Sequence, residues 1–231
     1  MGRNYSFLLY GTRAGLADLL KALAALADPP VPQQVLLDFG NGQTLKLAAD
    51  AEADKTPRRL DLSLPKADYQ LVTWLEVEMG QPDPAEELIH EHWAEANQEL
   101  LPQRKFRFAV GLEITVSERF YELSLCSPTS SGSAIFSFSP NLRHSIQKLL
   151  RDSGAWFGLF DSEQDIFKVL PRQLQMSEAD WGRLHLSFEE EDLILYSDQG
   201  DNLDTCVEML QNKIKALPES ENFLGPDANL N

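Results

Sequence analysis

Residues 105–125, KFRFAVGLEITVSERFYELSL, alternate apolar and polar side chains with the period of an extended chain. Phe106, Phe108, Val110, Leu112, Ile114 and Val116 project to one side, with Arg107, Glu113 and Thr115 among those opposite. This stretch reads as the clearest hairpin in the chain, and it predicts antiparallel sheet with one covered face.

N-terminal to it, YSFLLYGTRAGLADLLKALAAL (5–26) reads as a strand, a short loop and a helix whose Leu16, Leu19, Leu20 and Leu23 form one stripe. QVLLDFGNGQTLKL (34–47) reads as a hairpin turning at Asn41-Gly42, a pair suited to a type I′ turn. Two strands follow, RRLDLSL (58–64) and YQLVTWLEVE (69–78), and then a helix opening at Asp83-Pro84. On the C-terminal side, SPTSSGS (127–133) reads as a loop. AIFSFSPNLRHSIQKLLRDSG (134–154) reads as a strand and then a helix capped by Ser139-Pro140. A hairpin in WFGLFDSEQDIFKVL (156–170), strands in GRLHLSF (182–188) and DLILYSD (192–198), and a helix from Asp201 or Asn202 complete the series.

The order β-α-β-β-β-β-α therefore occurs twice. Leu60, Leu62 and Leu64 in one copy match Leu184, Leu186 and Phe188 in the other. The expected organisation is a first α+β repeat over 1–103 and a second over 104–217, which carries the extra N-terminal hairpin. A mobile tail follows over 218–231. The competing reading is one α+β domain whose elements recur by chance. Strands and helices do not alternate strictly, so the fold class is α+β, a largely antiparallel sheet with helices on one face.

The 231 residues carry a net charge of −16, which argues against nucleic-acid binding and favours a basic partner. No apolar run approaches the length of a membrane span, and Arg13, Asp18 and Lys21 interrupt the apolar N-terminal stretch. MGRNYS formally fits an acylation pattern, but a strand starting at Tyr5 leaves little room for a lipid arm. Two cysteines, Cys126 in an expected strand and Cys206 in an expected helix, make no disulfide framework and point to a reducing cytoplasm.

The charge is segregated. Residues 67–103 hold nine acids and 184–212 hold eight, both without Lys or Arg, so together they account for the whole net charge. In the first window Glu87, Glu91, Glu95 and Glu99 recur every four residues. Like charges at that spacing destabilise an isolated helix by about 0.2–0.5 kcal/mol per pair, so a helix shaped by stability alone would interleave cations. Asp201, Asp204 and Glu208 continue the pattern in the second window. These seven carboxylates are the candidate partner-binding residues; solvated faces with no partner are the plain alternative.

The same first helix contains His90 and His92. Two residues apart, they point about 200° from each other and cannot share a metal. The spacing predicts a helix that buries Leu88, Ile89, His92, Trp93, Ala96 and Leu100 and leaves His90 solvated. Glu189–Asp192 could hold calcium loosely but lack the spacing and glycine of a calcium loop. No metal and no cofactor are expected.

The leading expectation is a non-enzymatic acidic module that binds a basic protein, as an inhibitor, an antitoxin-like neutraliser or an adaptor. The alternative is an enzyme or small-ligand protein with its site between the halves, where Glu76, Glu78 and His185 are the first acid–base candidates. Arg143, His144, Lys148 and Arg151 give one helix a basic edge suited to an anion. A monomer is expected, or a homodimer paired through the 105–125 hairpin.

Overall fold

The computed structural model describes residues 5–27, 33–40, 42–49, 59–116, 120–127, 129–162, 194–197 and 212. Its centre is β1 (Tyr5–Thr12), which among the described strands has the longest unbroken run of buried residues. Phe7, Leu8, Leu9 and Tyr10 are all buried, because both faces and both edges of this strand are covered. On one edge it pairs antiparallel with β7 (Phe120–Cys126), from Ser6↔Cys126 to Thr12↔Phe120. On the other it pairs antiparallel with β8 (Phe157–Ser162), which in turn pairs with β9 (Ile194–Ser197).

The 105–125 hairpin is present as expected, with β6 (Lys105–Val116) pairing β7 from Gly111↔Cys126 to Val116↔Tyr121. Its far edge takes β5 (Ala67–Glu78) over twelve residues, giving an all-antiparallel sheet of order β5-β6-β7-β1-β8-β9. The six residues Phe106 to Val116 that alternate along β6 are all buried, and β5 mirrors them with Leu71, Thr73, Leu75 and Val77. One sheet thus draws strands from both of the segments 1–103 and 104–217.

Helix α1 (Arg13–Leu26) follows β1 directly, capped by Thr12, whose Oγ1 accepts from Gly15 N at 3.2 Å. The expected leucine stripe is buried. A three-stranded sheet of order β3-β2-β4 comprises β2 (Gln34–Asp38), β3 (Thr44–Ala48) and β4 (Arg59–Asp61). The β2–β3 turn closes through Gln43 N to Gly40 O at 2.9 Å, and Gly42 sits at φ 77°, where a side chain would be strained. Strand β4 is parallel to β2, the one parallel pair among the described strands of a largely antiparallel fold. Thr73 Oγ1 donating to Ala48 O (2.7 Å) and Arg13 donating to Leu62 O (2.8 Å) fasten this sheet to the main body.

The strand expected over 134–139 is instead part of a helix, α3 (Ser130–Phe138). Thr129 Oγ1 accepts from Gly132 N at 3.1 Å, so the hydroxyl-rich stretch expected to be a loop starts the helix. The alternation in AIFSF fits either period over so short a run. Tertiary packing decides: Phe136 lies 4.8 Å from the Phe7 ring and 5.7 Å from Phe108. The second copy of the expected repeat therefore lacks its opening strand. Its last helix and the strand at 182–188 lie outside the described residues. Helix α4 (Pro140–Asp152), β8 and β9 form where expected. From α4, Arg143 spans the Phe160 ring at 4.9 Å.

Two polar clusters fix helix α2 (Ala85–Asn97). At its start Asp83 is buried and Oδ1 accepts from Ala85 N (2.9 Å), while Glu86 accepts from Asp83 N (3.2 Å), a capping box. The other carboxylate oxygen accepts from Ser139 Oγ (2.6 Å) and Asn141 Nδ2 (2.9 Å), and Ser139 caps α4 through Leu142 N (3.0 Å). At its end, fully buried Asn97 docks on β6 beyond the reach of β7. Its Nδ2 donates to Arg107 O (2.9 Å) and its Oδ1 accepts from Arg107 N (2.6 Å), so one amide replaces a missing strand partner.

Asn97→Ala leaves both backbone groups of Arg107 without that partner and is expected to cost about 3 kcal/mol. Chemical denaturation should show this loss beside an unchanged Glu95→Gln control. Equal midpoints for the two variants would mean that water replaces the amide.

Candidate functional site

Glu87, Glu91, Glu95 and Glu99 are all exposed. Among the described residues no Lys or Arg lies within ion-pair distance of any of them; Arg104 is 3.3 Å from Glu86 instead. The four do not form one straight stripe. The helix kinks at Trp93 (φ −135°, ψ 24°) and ends at Asn97, so Glu99 sits in the turn that follows.

The kink also corrects the expected burial. Ala85, Ile89 and Asn97 face inward, whereas His92 turns outward, its side chain 37% exposed and 3.8 Å from Glu91. Leu88, Trp93 and Ala96 are only half-buried, while His90 is exposed and Leu100 buried as expected. Asp201, Asp204, Glu208, His185, Cys206 and the 189–192 acids lie outside the described residues. No group of three His, Cys, Asp or Glu among the described residues is arranged to hold a metal. No described helix is long and apolar enough to cross a membrane.

Glu76 and Glu78 sit at the end of β5, where Lys105 on the paired strand binds Glu76 at 2.7 Å and approaches Glu78 at 3.9 Å. Both carboxylates line an open cleft of about 910 Å³. Ala22, Ala25 and Leu26 of α1 form its apolar wall. Helix α4 forms the third wall, with His144 and Lys148 exposed one turn apart and Asp152 a turn further on. The cleft thus lies between segments of 1–103 and 104–217. Sequence spacing alone does not reveal it, because Lys105 and α4 join Glu76 only through the register of β5 on β6 and the packing of α4 on β5. The basic edge of α4 splits in the fold. Arg143 turns inward, donating to Ser137 O at 2.7 Å, and leaves His144 and Lys148 to the cleft.

A second carboxylate stands out on β7. Burial pushes the Glu122 carboxyl up to about 7, against the opposing pull of the Tyr10 side chain across the strand pair; nearby Glu113 and Asp68 add repulsion. Its only sequence signal is a lone acid inside the apolar run FYELSL. On the same strand burial pushes the Cys126 thiol up to about 11, which leaves it a poor nucleophile at neutral pH.

Comparison with protein-family models, characterised proteins and solved structures found no match to this chain.

The Glu122 proton gives a signed prediction. From its ordinary value of 4.5 up to about 7, the folded protein keeps a proton that the unfolded chain has lost. The contribution is therefore complete below about 4.5 and disappears as pH rises through 7. Denaturation of Glu122→Gln beside wild type should show the variant gaining on the order of 3 kcal/mol between pH 4.5 and 7.5. A constant difference across that range would place the carboxylate in water.

Proposed function

We propose that the protein is a non-enzymatic interaction module that docks a basic partner protein on the acidic outer side of α2. The observation that carries this reading is the exposure of Glu87, Glu91, Glu95 and Glu99 with no Lys or Arg at ion-pair distance among the described residues. A surface ion pair would relieve their mutual repulsion at little cost, so leaving them unpaired favours a cation supplied from outside. The row speeds encounter by steering and sets orientation more than it adds affinity. Asp201, Asp204 and Glu208 extend the same reading to the second acidic window. An inhibitor, an antitoxin-like neutraliser or an adaptor in a reducing cytoplasm all use such a surface.

The test compares wild type with a Glu87→Gln, Glu91→Gln, Glu95→Gln, Glu99→Gln variant in pull-downs from the native host. A basic protein should be retained by wild type and lost by the variant. Raising salt from about 0.05 to 0.5 M should weaken that interaction roughly tenfold, as screening shortens the reach of exposed charges. Identical captures by the two proteins, or binding indifferent to salt, would reduce the row to a solvated face.

A further inference from the structure

We propose that the basic partner docks through an amphipathic helix, one of whose bulky apolar side chains seats on an exposed patch made by Pro82, Pro84, Leu88 and Phe138. This rests on the reading of the acidic row and gives it an apolar anchor. Among the described residues Phe138 is the most exposed large hydrophobic side chain, at 56%. It ends α3, and the next residue, Ser139, donates to the Asp83 carboxylate at 2.6 Å. Pro82 and Pro84, both exposed, flank that same Asp83. One hydrogen bond therefore gathers the ring and the two prolines at the start of α2.

The acids border this patch. Helix α2 packs on β6 along one flank and on α3 along the other. Glu86 marks the β6 flank, because it meets Arg104, the residue before β6, at 3.3 Å. Leu88 lies about 200° around the helix from Glu86 and so falls on the α3 flank, where it is half-buried. Glu87 and Glu91 are the exposed residues next outward from it. From Pro84 to Glu91 the chain rises about 10 Å, two turns of a docked helix. Apolar surface edged by charge of one sign complements the two faces of a basic amphipathic helix. A polycation without apolar residues satisfies the acids and leaves Phe138 in water. An uncharged apolar segment covers the ring but strips water from Glu87 and Glu91. Arg143 sets the direction: it donates to Ser137 O at the end of α3, so a docked helix turns its cations away from that end and toward α2.

The probe is a dye-labelled peptide of about fifteen residues, leucine and lysine at helical period, long enough to form a helix. Its control has every leucine replaced by glutamine, which keeps the charge and removes the anchor. Fluorescence anisotropy with the full chain reads both affinities. The leucine peptide should bind about tenfold more tightly than the glutamine peptide, the worth of covering part of an aromatic ring. Phe138→Gln should abolish that advantage, whereas Leu64→Gln, at the other exposed large hydrophobic position, should leave it intact. Glu87→Gln with Glu91→Gln should weaken both peptides about fivefold. Equal binding of the two peptides, or a leucine peptide indifferent to Phe138→Gln, would overturn the apolar seat while the acidic row stands. Equal losses at Phe138 and Leu64 would mean general adhesion and overturn it too. Peptides indifferent to the glutamate changes would overturn the acidic row, and this docking mode with it.

Discussion

Everything in this fold hangs on the two-sided pairing of β1. The strand nearest the N-terminus lies between β7 and β8, so its partners come more than a hundred residues later. It packs on α1 and α3 as well as on its two strand partners, and the Phe7 ring itself meets those of Phe136 and Phe160. Gly11 shows how tight this centre is. A Cβ there would fall 2.6 Å from the Tyr121 hydroxyl, so the strand end accepts only glycine while that ring keeps its place. Long-range pairing of this kind places the loop-closure cost before the reward, which makes for slow, cooperative folding.

The sequence was most legible where periodicity was unambiguous. The six alternating apolar residues of β6, the leucine stripe of α1 and the Ser139-Pro140 start of α4 all form as their patterns require. Short or broken patterns misled. AIFSF alternates like a strand, but Phe136 fills the gap between Phe7 and Phe108 only from a helix. In α2 the regular spacing from Glu87 to Glu99 presumes a straight helix, and one non-helical residue, Trp93, turns His92 outward and brings Asn97 in. The duplication rests on element order and a few local matches, and α3 stands where its second copy calls for a strand.

The candidate sites divide along the same line. An acidic row is written in the sequence because its members are neighbours in the chain, and the fold needed only to leave them exposed. The cleft is invisible there, because Glu76, Lys105 and Lys148 come together only through strand register and helix packing. Glu122 falls between: a lone acid in an apolar run is noticeable, but its elevated pKa depends on burial and on the neighbours that β1, β5 and β6 bring to it.

The shared cap at Asp83 has a consequence for the protein's motions. A helix end ordinarily frays by itself, and its first amides exchange with solvent through small local openings. Here one carboxylate holds the first turn of α2 directly and that of α4 through Ser139. The two ends cannot loosen one at a time without stranding a buried charge. The helix bearing the acidic row and the helix walling the cleft are thereby joined into a single opening unit, although they lie more than forty residues apart in the chain.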